Sequence, residues 1–169
     1  MLVLDEPPDL TVEQFLAICG EHLSHDDMAT LERLLSGSLG ETGHPFAVQW
    51  WEHETQLRNT VVTERATRTG RDAEQYLQKT DSFDSYTRKT VSESFTARNP
   101  RDAELALDRL RWSVIEELQG YDAFSTRALL AYGLKLKLSE RWAVMNKEGG
   151  AAKVEELVET MSQRKGSGK

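Results

Sequence analysis

Cysteine is almost missing from this chain. Cys19 is the one thiol in 169 residues, so no internal disulfide can form. Set among Phe15, Leu16 and Leu23, it reads as a packed core thiol with nothing nearby to activate it. Long apolar runs are missing too. None approaches the roughly 18 residues of a spanning helix, and Met1 to Asp5 has neither the basic flank nor the apolar length of a signal peptide. Positive charge is in deficit, with 21 Lys and Arg against 28 Asp and Glu and a net charge of −7. That balance argues against duplex nucleic acid, whose affinity comes largely from neutralising phosphates. It disfavours anionic membrane for the same reason. The expected location is the cytoplasm, with no direct membrane insertion.

What remains has the composition of a globular protein, 38% hydrophobic and 29% charged. A chain of this length can bury a sizeable core, and the expected organisation is one helical domain over 1–169. Within it, 10–37 reads as an N-terminal helical hairpin and 45–165 as a main bundle.

The helix signals are local. Leu2 to Asp9 is expected to be extended, stiffened by Pro7 and Pro8. Thr11 with Gln14 forms a capping-box pattern ahead of Phe15, Leu16, Ile18 and Cys19, in a helix running to about His22. Ser24 with Asp27 repeats the pattern before a helix that stops at Gly37. Residues 36–45 read as a loop. Pro45 to Arg68 reads as one long helix ended by Gly70, with Trp50, Trp51, Leu57 and Val61 on one broad arc. A short helix is expected over Arg71 to Gln78. Another is expected from Ser82 through Tyr86, Val91 and Phe95. Asn99 and Pro100 are a cap and first-turn pair for a helix to Gln119, closed by Gly120. The segment from Asp122 or Ser125 to Met145 fits a helix better than a strand, despite the alternation at Leu134 to Leu138. Gly149 and Gly150 are expected to break the chain before a last amphipathic helix. With no internal repeat and no convincing hairpin, the fold class is all-α, a multi-helix bundle of about seven or eight helices.

Motifs that carry chemistry are few along the chain. A di-metal bundle site needs Glu-x-x-His on two helices, and that pattern does not occur. His22, His25 and His53 lie at a helix end, beside a cap and between two glutamates, so no metal ligand set is expected. No Gly-x-Ser-x-Gly elbow is present, and Cys19 has His22 within helical reach but no orienting carboxylate. The Gly-Ser-Gly-Lys ending lacks the helix a phosphate loop requires. Lys135 and Lys137 can be read as a pair that binds an anion, or as lysines snorkelling from an apolar face to solvent. No catalytic residue and no cofactor are expected.

Charges at core-facing helical positions are the conspicuous feature. Glu54 and Arg58, an acid four residues before a base, lie among the tryptophans and valines of their helix. Glu104 and Arg111 neighbour Leu107, Val114 and Leu118. Glu140 shares a face with Leu129, Gly133 and Leu136, and Arg141 sits near Leu130 and Leu134. Two readings stand. Either helices exchange ion pairs at their edges, or Glu54, Arg58, Glu104, Arg111, Glu140 and Arg141 form a buried network that fixes helix register. For the tryptophans the readings are core packing or partner contact, with Trp50 and Trp142 the contact candidates.

Three stretches, WWEHETQLRN, AELALDRLRW and YDAFSTRALLAYGLKLKLSERW, occur in order along the chain. With them the sequence resembles a bacterial family of unknown function whose members are encoded among the subunits of V/A-type rotary ATPases. The matching positions are Trp51, Glu54, Leu57, Arg58 and Asn59; then Glu104, Asp108, Arg111 and Trp112; then Phe124, Tyr132, Leu136, Glu140, Arg141 and Trp142. The segment Val12 to Leu16 fits as well. The chain departs from the family in lacking a Tyr-rich, strand-like opening. It is also short for the complete three-lobed, all-helical coupler that joins the rotor shaft of these ATPases to their membrane ring.

The resemblance implies a fold like part of that V-type ATPase coupler and a non-enzymatic accessory or coupling role. Its partners would be other rotary ATPase subunits, and its location peripheral to the membrane through that complex. The alternative is a stand-alone helical small-molecule-binding or regulatory domain, which a polar-lined pocket near Glu54, Arg58 and Arg111 would favour.

Overall fold

Helix-terminating and helix-capping residues set the element boundaries in the computed structural model. It describes residues 2–38, 43–80 and 84–166, with side chains as far as Lys147. Among these residues there are six α-helices and no strand: α1 (Val12–His22), α2 (His25–Ser36), α3 (Pro45–Thr69), α4 (Ser85–Ser94), α5 (Pro100–Gln119) and α6 (Thr126–Gly166).

Each cap satisfies backbone N–H or C=O groups that the helix leaves unpaired. Thr11 and Gln14 exchange hydrogen bonds at 3.1 and 3.0 Å in a full capping box. The Ser24 and Asn99 side chains accept from the backbone N–H groups of Asp27 and Asp102. Gly37 and Gly70 end α2 and α3 in the left-handed conformation, at φ 75° and 64°, where a Cβ is costly.

Several expectations are corrected. The described residues form six α-helices instead of seven or eight, for two reasons. Residues 71–78 form only a 3-10 turn at Glu74–Tyr76. Tyr76 and Leu77 there are exposed, so a helix would bury no face to offset its nucleation cost. The segment is tied down instead by Asn59, whose amide donates to the Gln78 carbonyl at 2.7 Å and accepts from its N–H at 2.9 Å. Second, α6 passes through Gly149 and Gly150 without a break. Each glycine costs a helix about 1 kcal/mol, and the strong helix formers around them carry the helix on.

The amino-terminal lead-in is not continuously extended either. It turns at Leu4 and Asp5, and α4 is capped by Asp84, whose carboxylate accepts from the N–H groups of Tyr86 and Thr87. Ser82, the expected start of that helix, lies outside the described residues, as do 39–42 of the loop before α3.

Two apolar clusters form the core. The larger joins α1, α2, the first half of α3, the second half of α5 and α6 through Phe15, Leu31, Phe46, Trp50, Ile115 and Leu130. The smaller joins the second half of α3 to α4 and α5 through Leu57, Val91, Leu107 and Leu110. At Gly133 of α6 a Cβ would lie 2.8 Å from Leu31 Cδ1 and 3.1 Å from Phe15 Cε1. The absence of a side chain there allows α6 to approach α1 and α2 closely.

Candidate functional site

Between the two apolar clusters lies a layer of charge. Along α3, Trp50 and Trp51 belong to the larger cluster and Leu57 to the smaller, with Glu54 between them. Along α5, Ile115 belongs to the larger and Leu107 and Leu110 to the smaller, with Asp108 and Arg111 at the junction. Helical periodicity turns these charged residues inward with their apolar neighbours.

Glu54 is only 5% exposed. Its Oε2 accepts from Arg111 Nε at 2.9 Å, while Oε1 accepts from Arg111 Nη2 at 3.1 Å and Arg58 Nε at 2.9 Å. Arg111 therefore grips Glu54 in a two-pronged geometry that only a guanidinium offers. Its remaining amino group donates to Asp108 Oδ1 at 2.8 Å.

Asp108 is fully buried and is the hub. Its Oδ2 accepts from Arg141 Nη1 at 2.9 Å and from the Trp142 indole N–H at 2.8 Å. Arg141 reaches outward with Nη2 to Glu104 at 2.8 Å. One connected network thus links α3, α5 and α6.

The electrostatics follow from the pairing. Burial works against the charge on Glu54, but the hydrogen bonds and charge of Arg111, with those of Arg58, outweigh it and hold the carboxyl below the usual glutamate range. Arg111 is likewise opposed by burial, and its two carboxylates keep it firmly protonated. His53, beside Trp50, is pushed down by burial; Glu54, Asp84 and Glu117 counter in part, and Arg111 adds to the depression.

The structure brings together five of the six charged residues singled out in the sequence: Glu54, Arg58, Glu104, Arg111 and Arg141. Glu140 stands apart, a correction to its expected place in the network. Its Oε1 accepts from the backbone N–H of Val12 at 2.7 Å, placing a carboxylate at the amino end of α1, where the helix dipole favours it. Asp108 is the network member that the charge pattern did not single out. Its signal is the i, i+3 spacing to Arg111 and the position between Leu107 and Leu110. Trp50 and Trp142, the partner-contact candidates, are corrected as well. They are 5% and 0% exposed, so neither presents a surface to a partner. Large aromatics do reach solvent at the turn between α5 and α6, where Tyr121 and Phe124 are fully exposed.

Beside the network, α2, α3, α5 and α6 converge on a pocket of about 250 Å³ whose wall includes Trp51, Glu54, Arg58, Arg111 and Lys137. No group of three or more His, Cys, Asp or Glu placed to hold a metal ion occurs among the described residues. Within the same limit, no helix is long and apolar enough to cross a membrane.

Fold and site together define an all-helical protein with a buried ionic layer. Residues 86–165, spanning α4, α5 and most of α6, match the model of a family described as a protein of unknown function (DUF2764). That match includes Asp108, Arg111, Arg141 and Trp142 but leaves out α3, which carries Glu54 and Arg58. No curated protein and no solved structure matches the chain.

Proposed function

We propose that this chain is a non-enzymatic helical accessory or coupling subunit of a bacterial V/A-type rotary ATPase, acting through protein contacts. The ATPase assignment rests on the sequence resemblance described above. The observation that carries the docking part is the pair Tyr121 and Phe124, fully exposed on the short turn between α5 and α6. Large aromatics in solvent are the residue types that anchor protein interfaces, and here they ride on two helices held together by the Asp108 hub. An ionic layer whose carboxylates are already satisfied by arginines supports a scaffold over a catalyst. The reading includes a fold related to part of the helical coupler between rotor shaft and membrane ring.

Affinity purification of the tagged protein from its own cells tests it. ATPase subunits in the eluate are expected. A protein that elutes alone, at native expression and low salt, would sink the reading.

A second reading has its own support. The pocket beside Glu54, Arg58 and Arg111 favours a small-molecule-binding or regulatory domain, because ligand sites are concave and carry a few convergent polar groups on an apolar wall.

A further inference from the structure

Donors and acceptors in the pocket between α2, α3, α5 and α6 do not balance. Its wall carries four cationic side chains, Arg58, Arg111, Lys137 and Arg141, against two carboxylates, Glu54 and Asp108. The excess within the wall is two positive charges, one of them met by Glu104 just outside it through Arg141, in a chain whose net charge is −7.

Every carboxylate oxygen in that wall is already engaged: Glu54 by Arg58 and Arg111, Asp108 by Arg111, Arg141 and Trp142. The unspent side-chain groups are donors. Among the described residues Arg58 uses its Nε, on Glu54, leaving both Nη groups, and its side chain is 47% exposed. Lys137 spends one of its three N–H bonds on the Leu35 carbonyl. The indole N–H of Trp51 is buried and finds no hydrogen-bond partner among the described residues. A buried donor without an acceptor is costly.

We infer that this pocket is a binding site for a small organic oxyanion, a carboxylate or phosphate monoester on a compact apolar body. Arg58 and Lys137 would hold its charge, and Trp50, Leu34 and Leu134 would cover its apolar part. The planar Arg58 fork matches two oxygens of such a group, and the Lys137 ammonium supplies a mobile point charge. The Lys137 ammonium is pushed down by burial first and by the charge of Arg58 second, with Glu54 countering in part. An oxyanion between Arg58 and Lys137 relieves that repulsion. The pocket volume of about 250 Å³ suits a ligand of one ring or a short chain. The inference rests on the second reading above, that the pocket takes a ligand at all.

The test titrates the full chain with phenyl phosphate, phenylacetate and benzyl alcohol at ionic strength fixed with sodium chloride. The readout is the Trp51 indole N–H resonance, assigned with Trp51→Phe. Saturable shifts are expected with the two anions and not with the alcohol, and the tighter anion identifies the source of the oxyanion. Arg58→Gln and Lys137→Gln are each expected to weaken binding by about 10-fold or more, while Lys89→Gln, at an exposed position of α4, leaves it unchanged. Benzyl alcohol binding as tightly as the anions would overturn the oxyanion inference and leave the pocket reading standing. Silence from all three probes would overturn both. Anion binding indifferent to Arg58→Gln and Lys137→Gln would place it elsewhere on the chain and overturn the inference.

Discussion

Glu54 and Asp108 owe their burial to the arginines that hold them. Buried charges of this kind specify geometry more than they add stability, yet removing one partner strands the other in a medium that cannot solvate it. Glu54→Ala is therefore expected to cost about 3–5 kcal/mol in urea unfolding. Glu64→Ala, which removes only a 3.9 Å contact with Arg68, should cost no more than about 1 kcal/mol. Equal small effects would show that Glu54 is not holding Arg111.

Protonation gives a second test at this scale. Glu54 has its pKa lowered in the fold from an ordinary 4.5, so the unfolded chain takes up that proton first. Its contribution is present above pH 4.5 and is lost as pH falls below it. His53 is lowered from an ordinary 6.5; the unfolded imidazole again protonates first, and its contribution fades as pH falls below 6.5. The urea midpoint should decline in two stages on acidification, and His53→Gln should remove the upper one. A single decline near the ordinary glutamate range, unchanged by His53→Gln, would contradict the assignment.

Elements are legible in the sequence where the signal is local. Thr11 with Gln14, Ser24, Asn99 with Pro100, and the glycines at 37, 70 and 120 mark helix ends because caps act within a turn of the chain. Glu54 can be placed inside because its period matches that of the neighbouring Trp51 and Leu57, whereas Arg58, expected on the same arc, keeps its side chain 47% exposed. Asp108 is harder to see, since an aspartate on an amphipathic helix reads as surface until Arg141 and Trp142 arrive from 33 and 34 residues away. Glu140 is misplaced by its sequence pattern because its partner is a backbone N–H of α1, which no side-chain pairing rule reveals. The segment 71–78 fails for a related reason: its helix propensity is visible, but the lack of anything to pack against is not.

Glycines sharpen the element-level account. At Gly133 an added side chain meets Leu31 and Phe15, and Leu31 is fully buried with little room to retreat. Gly133→Val should cost about 1–3 kcal/mol through overpacking. Gly20, inside α1 with nothing within 4 Å, should respond oppositely. Gly20→Ala is expected to add up to about 1 kcal/mol by propensity alone. A Gly133→Val thermal midpoint at or above that of the wild type would mean that α6 does not approach α1 and α2 so closely.

At the scale of the whole molecule, the ionic layer joins α3, α5 and α6 between two apolar clusters and leaves the α5–α6 turn outside them. Under the proposed function, the layer supplies rigidity and the turn supplies recognition. The pocket beside the layer is a third region, and changes there should not propagate to the turn unless bound ligand and docking are coupled. The measurement that separates these roles is quantitative affinity purification from native cells, comparing the wild type with a Tyr121→Ser/Phe124→Ser double variant and an Arg58→Gln/Lys137→Gln double variant. The account predicts that ATPase subunits co-purify with the wild type and with the pocket variant. It predicts that they are lost with the turn variant, whose thermal midpoint is unchanged. Retention of the same subunits by a folded turn variant would contradict it.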